Sequence, residues 1–264
     1  MAETIAGPLG ELRGSTSTGV ALTTAAAFTA IPKGTRLLQL SPRNFVGAAV
    51  VRVAVNPYLT VLKTADALAT APTDYSENAQ DGDAGTDVTL SSLDTAANLD
   101  FLYVGSHLPF RGVNIDVDAA NGTVNAITVK YRKSDDTWAD ISATDGTDSG
   151  GASMAIDGNV TWTVPTDWKS ARLIDIGDTI LSFPGATSYL YWTRWQWSAA
   201  MDSSTTLNAM LAMSRSTAYA ELASGQALEF GVMKGPDGLG CIEALTDAGT
   251  ANLVMNFAAI GGRF

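Results

Sequence analysis

The residues that most often act as nucleophiles or bases are scarce in this sequence. Its 264 residues include one histidine, His107, and one cysteine, Cys241. A serine triad would need His107 as its base, and no G-x-S-x-G motif presents a nucleophilic serine. We expect a packed or half-exposed histidine at this position.

Cys241 is the second candidate for reactive chemistry. A single cysteine excludes an intramolecular disulfide and any zinc site built from several cysteines. The segment 239–242 around it is apolar, and apolar surroundings keep a thiol neutral and inert. We therefore predict that Cys241 is a small buried hydrophobic residue.

Aspartates could form a calcium site, because calcium takes about six to eight oxygen ligands. Two turns concentrate them: Asp81, Asp83 and Asp87 in one, and Asp135, Asp136 and Asp140 in the other. Neither turn matches the EF-hand pattern, which ends in a glutamate. We predict solvated turn aspartates and neither a metal nor another cofactor, with structural calcium as the alternative.

Paired carboxylates could serve a glycoside hydrolase, whose two acids lie about 5–10 Å apart. Further acids are present at Asp175, Asp178, Glu221, Glu229 and Glu243. Nothing in the sequence pairs any two of them, and acidic side chains are common on every protein surface. We therefore expect that the protein is not an enzyme.

The net charge of −11 restricts the partners that the protein can bind. Phosphate backbones require clustered lysines and arginines, and the sequence contains no such cluster. An anionic membrane surface would repel the protein for the same reason. We expect neither nucleic acid nor a membrane as a partner.

The N-terminal residues 1–12 have none of the features of a secretory leader. They carry acidic residues where a signal peptide needs basic ones, and they contain no apolar core segment. The longest apolar run, 45–55, is much shorter than a membrane span. We expect a soluble protein that is made without a cleaved leader.

Aromatic residues are most concentrated in the stretch 188–198, which reads S-Y-L-Y-W-T-R-W-Q-W-S. Such residues favour strands, and the side chains of a strand alternate between its two faces. We predict a buried face that consists of Tyr189, Tyr191, Thr193, Trp195 and Trp197. We expect a partly wetted surface on the other face, which consists of Leu190, Trp192, Arg194 and Gln196.

The wetted face of this stretch could bind a ligand. Flat indole rings stack on the faces of sugars, and Trp192 lies beside Arg194 and Gln196 on that side of the strand. These three residues are the candidate contacts for a glycan or a protein partner. The alternative is that every indole of the stretch fills the core.

The elements that would position these residues are short strands separated by turns. This pattern predicts an all-β fold, with two or more β-sandwich-like or jelly-roll-like domains and an extended N-terminal arm. The predicted parts are the arm 1–35, an N-terminal β domain 36–98, a central aromatic-rich β-sandwich 99–201 and a C-terminal β region 202–264. This last region stands alone, belongs with the central sandwich or pairs with the N-terminal domain.

The strongest turn signal in the chain is Asn121-Gly122, because both residues tolerate positive φ. It predicts a hairpin between a strand at 112–117 and a return strand at 123–131. No segment has the pattern of a convincing helix.

Residues 99–200 contain short motifs in a fixed order. They are Tyr103-Val104-Gly105, Phe110-Arg111-Gly112-Val113, Ile127-Thr128-Val129-Lys130-Tyr131, Asp136-Thr137-Trp138, Asp157-Gly158-Asn159-Val160-Thr161-Trp162, Pro165-Thr166-Asp167-Trp168 and Tyr191-Trp192-Thr193-Arg194. In this order they resemble the β-sandwich modules of structural proteins from tailed bacteriophages. More distantly, they resemble the discoidin-type sandwiches that bind glycans.

The resemblance implies a non-enzymatic virion protein and brings no catalytic residues. We expect a capsid decoration or cement protein on the outer head surface, with the major capsid protein or other virion proteins as partners. The alternatives are a tail, neck or baseplate component and a glycan-binding receptor module. The protein would form a homo-oligomer, for which we expect a trimer, and would join the virion in the host cytoplasm.

Overall fold

The computed structural model describes residues 12–15, 19–91, 93–177 and 188–258. Within these ranges the chain is nearly all-β, as the sequence predicts. The strands, which pair antiparallel in every sheet, are β1 (Leu12–Ser15), β2 (Val20–Leu22), β3 (Ala27–Ala30), β4 (Leu37–Val46), β5 (Val50–Pro57), β6 (Thr60–Thr64), β7 (Thr73–Asp74), β8 (Val88–Thr89), β9 (Phe101–Ser106), β10 (Gly112–Ala119), β11 (Ile127–Arg132), β12 (Trp138–Asp140), β13 (Thr144–Asp145), β14 (Gly158–Thr161), β15 (Ser170–Ala171), β16 (Leu190–Trp197), β17 (Thr206–Ala212), β18 (Ala220–Ala223), β19 (Leu228–Gly231), β20 (Leu239–Thr246) and β21 (Thr250–Ala258).

Helical structure is confined to short turns of the described chain. Helix α1 spans Leu173–Ile176, and 3₁₀ turns span Asn78–Gln80 and Ala96–Asn98. Among the described residues, no helix combines the length and the apolar composition that crossing a bilayer requires.

Two sheets, A and B, pack around one hydrophobic cluster. Sheet A has the strand order β1-β21-β4-β19, with β2 also paired to β21, and sheet B has the order β18-β5-β20-β3. Leu38 and Leu40 of sheet A and Val51 and Val53 of sheet B are buried in this cluster. Because side chains alternate along a strand, these positions two residues apart present one apolar face from each sheet.

Two further sheets, C and D, enclose a larger aromatic cluster. Sheet C has the order β12-β11-β16-β9-β6-β7, with β15 also on β16, and sheet D has the order β13-β14-β10-β17-β8. Trp195 and Trp197 of sheet C meet Val113, Ile115 and Met210 of sheet D in this cluster. The prediction that Trp195 and Trp197 fill the interior is confirmed.

Sheet C is also covered on its other face. Tyr103 of β9 and Trp192 of β16 are buried there under Leu68, from the segment after β6, and Leu173 of α1. The expectation that this face of the aromatic strand is wetted is therefore wrong for Trp192. The reason is that segments distant in the sequence fold over the sheet, so that both faces of β16 are packed.

Strand pairing crosses two of the predicted domain boundaries. Strand β6 precedes residue 98 but pairs with β9, which follows it. Strand β17 pairs with β10, whereas β18, β19, β20 and β21 pair with strands from the first 60 residues of the chain. The predicted boundaries fall in polar loops, but hydrogen bonding joins strands across those loops. The division into domains remains a prediction.

The hairpin predicted at Asn121-Gly122 is wrong. Strand β10 before this turn pairs with β14 and β17 in sheet D, whereas β11 after it pairs with β12 and β16 in sheet C. The turn therefore carries the chain from one sheet to the other. Asn121 is buried, and its side-chain amide donates to the carbonyl oxygens of Thr123 (2.9 Å) and Ser153 (3.0 Å).

The described part of the predicted arm 1–35 pairs with the chain's own sheets. Strands β1 and β2 pair with β21, and β3 pairs with β20. Residues 1–11 and 16–18 lie outside the described residues, as does the segment 259–264. An arm that reaches a neighbouring molecule remains a prediction.

Candidate functional site

The first candidate site is the outer face of the aromatic strand β16. The side chain of Trp192 is 1% exposed, and its Nε1 donates a hydrogen bond to the carbonyl oxygen of Ala171 at 2.9 Å. Gly105 is its direct neighbour on β9. Since neither face of the indole is open, Trp192 cannot stack on a sugar, and its prediction as a ligand contact is wrong.

Arg194 and Gln196, the other two predicted contacts, are half-buried on the same face. The guanidinium carbon of Arg194 lies 4.5 Å from the ring centroid of Phe101 and 5.0 Å from that of Trp138. Cations are attracted to aromatic faces at such distances. Arg194 is therefore held between two rings of its own chain, and Gln196 lies opposite Thr128 of β11.

The buried face of the strand contains most of the side chains expected there. Trp195 is fully buried, packs edge-on against Trp162 at 6.2 Å, and donates from Nε1 to the Thr193 hydroxyl at 2.8 Å. Tyr189 is the exception, because it precedes β16 and is 61% exposed. Its assignment to the core is wrong.

A second candidate is the polar cluster around Glu243 of β20, whose side chain is 0% exposed. Arg111, just before β10, forms an ion pair with Glu243 and donates to its Oε1. The Tyr219 hydroxyl donates to the same oxygen at 2.6 Å. The side-chain amide of Asn56 and the backbone N–H of Ser214 each donate to Oε2 at 3.0 Å.

This Glu243 cluster joins sheet B, which holds Glu243 and Asn56, to the segments that flank β10 and β17 of sheet D. Burial and the neighbouring Glu243 carboxylate raise the pKa of Tyr219. Buried charges are tolerated only when they are paired and hydrogen-bonded. Both carboxylate oxygens of Glu243 have such donors, so the cluster fixes a contact between sheets and leaves no free base.

Cys241 and His107 occupy environments close to those that the sequence predicts. Cys241 is fully buried, and its Sγ donates to the carbonyl oxygen of Ala212 at 3.3 Å. Burial raises the pKa of its thiol. His107 is half-buried, and burial lowers its pKa while the charge of Asp237 opposes that change.

Four aspartates of the two acidic turns, Asp81, Asp83, Asp135 and Asp140, accept hydrogen bonds from nearby backbone N–H groups. Asp81 accepts from the N–H of Asp83 at 2.8 Å, and Asp83 accepts from the N–H of Gly85 at 2.9 Å. Hydrogen bonds from Thr137 lower the pKa of Asp135 to about 2. Among the residues that the structure describes, no three histidine, cysteine, aspartate or glutamate side chains form a group that could hold a metal ion.

The acids considered for a hydrolase are dispersed across the fold. Asp175 pairs with Arg172 at 2.8 Å, and Glu221 pairs with Arg52 at 3.0 Å. Glu243 belongs to the buried cluster, Glu229 is exposed on β19, and Asp178 lies outside the described residues.

A cleft that the sequence did not indicate lies beside strand β3. Its volume is about 450 Å³, and its walls come from β3, the turn 81–84, β10, β17 and β21. It is lined by Phe28, Thr29, Ala30, Pro32, Asp81, Gly82, Asp83, Ala84, Asp116, Asn208, Ala209, Leu211 and Phe257. Five segments distant in the sequence form it, so no local motif could have predicted it.

Comparison with known proteins leaves the family open. No protein-family model matches the chain, and no curated protein matches it significantly.

Proposed function

We propose that this chain is a non-enzymatic structural protein of a tailed-bacteriophage virion, and specifically a decoration or cement protein on the outer surface of the head. The proposal rests on the motif order in residues 99–200 and on the sandwich-like, all-β character of the fold.

The Glu243 cluster supports the proposal that the protein is not an enzyme. Glu243 is the most deeply buried of the candidate acids that the structure describes, and its carboxylate accepts hydrogen bonds from Arg111, Tyr219, Asn56 and the N–H of Ser214. A general base needs an available lone pair within reach of a substrate proton. Glu243 instead joins strand β20 of sheet B to Arg111 and Ser214, which flank strands of sheet D.

The proposed partners are the major capsid protein and further copies of this chain. Virion proteins follow the symmetry of the shell, so we propose a homo-oligomer, with a trimer as the working state. The net charge of −11 suits an outer position, away from packaged DNA. The glycan-binding alternative loses its support at Trp192, because that ring is buried.

The proposal is tested by mixing the purified protein with expanded, undecorated heads of the phage whose genome encodes it. We expect the protein to sediment with the heads and to form regular density outside the shell by electron microscopy. Heads that already carry the protein are the matched control, because their sites are filled. Absence of binding and of external density would overturn the head assignment.

Mass spectrometry of separated heads and tails distinguishes a tail, neck or baseplate location. Recovery of the chain in tails alone would leave a virion structural protein but remove the decoration role. Recovery in neither fraction would remove the virion assignment altogether.

A further inference from the structure

The cleft beside β3 has the position of a binding site. In the described chain, sheet B ends at β3, which pairs with β20 on one side. Phe28, Thr29 and Ala30 of this edge strand line the cleft, and the turn 81–84, sheet D and β21 of sheet A form its other walls. Binding clefts often lie between packed units and have volumes of about 300–1,000 Å³, and this one has about 450 Å³.

Part of the cleft lining is apolar. Phe28, Pro32, Leu211 and Phe257 are among the lining residues, and Leu211 and Phe257 are themselves buried. Phe28 and Pro32 are half-buried, so a ligand that enters the cleft can cover them further. Removing apolar area from water favours binding.

The polar part of the lining is acidic. Asp81, Asp83 and Asp116 line the cleft, and no lysine or arginine does. Within the described chain none of these three carboxylates forms an ion pair. Lys234, whose ammonium interacts with Asp81 at longer range, donates instead to the carbonyl oxygen of Gln80 at 2.6 Å.

Asn208 holds one of the carboxylates that line the cleft. Its side-chain amide donates to Oδ1 of Asp116 at 3.1 Å. Its own Oδ1 is buried and accepts no hydrogen bond from the described residues. Because that atom is shielded from solvent, a ligand in the cleft does not reach it, and Asn208 contributes to the cleft by holding the Asp116 carboxylate.

We infer that this cleft binds a segment of a partner protein that inserts a lysine or arginine side chain. The aliphatic stem of such a side chain covers Phe28 and Pro32, and its cationic head meets Asp81, Asp83 and Asp116. Long basic side chains combine an apolar stem with a charged head in this way. The inference does not depend on the virion assignment, because it follows from the lining of the cleft.

The test uses the full, isotope-labelled chain and two capped peptides. One is acetyl-Gly-Ala-Lys-Ala-Lys-Ala-Gly-amide, and the other has glutamine in place of both lysines. We expect saturable amide shifts at Thr29, Gly82 and Asn208 with the lysine peptide only. No shift at these amides, or equal shifts with both peptides, would overturn the inference.

Charge variants separate the cleft from general attraction to an acidic protein. Asp83→Asn with Asp116→Asn keeps the side-chain oxygens that accept from Gly85 and Asn208. We expect the double variant to bind the lysine peptide about fivefold more weakly, which corresponds to two partly exposed ion pairs. Glu229→Gln removes one exposed charge on β19 and should leave binding unchanged; an equal loss there would count against the cleft.

A blocking variant and a small amine complete the test. Ala84 is exposed at the mouth of the cleft, so Ala84→Trp should obstruct entry without altering a core and should abolish the peptide shifts. Unchanged shifts would contradict the site.

Putrescine, a free diamine, should bind more weakly than the peptide. Equal affinity would point to a small-amine site and overturn the protein-segment inference.

Discussion

Gly105 of β9 lies directly opposite Trp192 of β16, and the indole occupies the space that a side chain at position 105 would need. A Cβ atom added to Gly105 would lie 2.5 Å from Cε3 of Trp192. The tryptophan is fixed on its other side by a hydrogen bond to Ala171. The pair therefore explains how a large ring can be buried on the outer face of sheet C.

The Gly105→Ala variant is expected to lower the free energy of unfolding by about 1–3 kcal/mol, because overpacking forces a core ring to move. Chemical denaturation monitored by tryptophan fluorescence measures the change. Gly231→Ala is the matched control, since a Cβ atom there would come no closer than 3.7 Å to its nearest neighbour, the carbonyl oxygen of Arg36. An equal loss of stability in the two variants would contradict the steric explanation.

Alternation along β16 predicts correctly which side chains share a face, but it does not tell whether a face is covered. Trp195 and Trp192 lie on opposite faces, and both are buried. The cover over Trp192 comes from Leu68 and Leu173, which lie in segments without a strand pattern. Only the glycine at position 105 hints at close packing, and a glycine within a strand is equally typical of a bulge or a sharp bend.

A turn motif likewise predicts local structure but not how distant segments pack. Asn121-Gly122 predicts that the chain reverses direction, and the signal does not specify which strands then pair. Strand pairing between β10 and β17, more than 80 residues apart, depends on the packing of the two sheets. The Glu243 cluster and the acidic cleft depend on such pairings too, so neither follows from local sequence.

The buried ion pair between Arg111 and Glu243 gives the second prediction. Arg111→Met leaves the Glu243 carboxylate buried without its cation, and breaking such a pair costs about 3–5 kcal/mol. Because the Arg111 side chain is 17% exposed, we expect a value at the lower end of that range. Denaturant unfolding measures it.

A double variant and a surface pair serve as controls for this prediction. Arg111→Met combined with Glu243→Gln removes both charges and should recover part of the lost stability. Arg52→Met disrupts the exposed pair with Glu221 and should cost at most about 1 kcal/mol. If the stability loss of the double variant equals the sum of the losses caused by Arg111→Met and by Glu243→Gln alone, the two charges do not interact as described.

Cys241 gives a prediction about reactivity and alkaline pH. Burial raises the pKa of the folded thiol above its ordinary value of 9.0. The folded state therefore favours the neutral thiol, and this contribution to stability is present below pH 9.0 and lost as the pH rises and the unfolded thiol ionises.

Burial also predicts low reactivity of Cys241, so a thiol-reactive disulfide reagent should label the folded protein only at the rate of unfolding. Immediate labelling under native conditions would show that the thiol is accessible.

Asp202 gives a prediction for acidic pH. Its carboxylate accepts hydrogen bonds from the N–H groups of Gly122 at 2.6 Å and Ser204 at 3.0 Å. These bonds lower its pKa from 3.8 to about 2. The folded state therefore favours the ionised form, and the stability this provides is present above pH 3.8 and lost as the pH falls toward 2.

Asp202→Asn should accordingly destabilise the protein at neutral pH by about 1–2 kcal/mol, because an amide cannot accept all the hydrogen bonds of the charged group. The difference from the unsubstituted protein should shrink as the pH is lowered, since both side chains are then neutral. Thermal unfolding across the acidic range measures this convergence, with Glu229→Gln as a control for a lost surface charge. A difference that stays constant with pH would mean that Asp202 acts through its shape and not through its charge, and that the turn between sheets D and C is not held by a carboxylate.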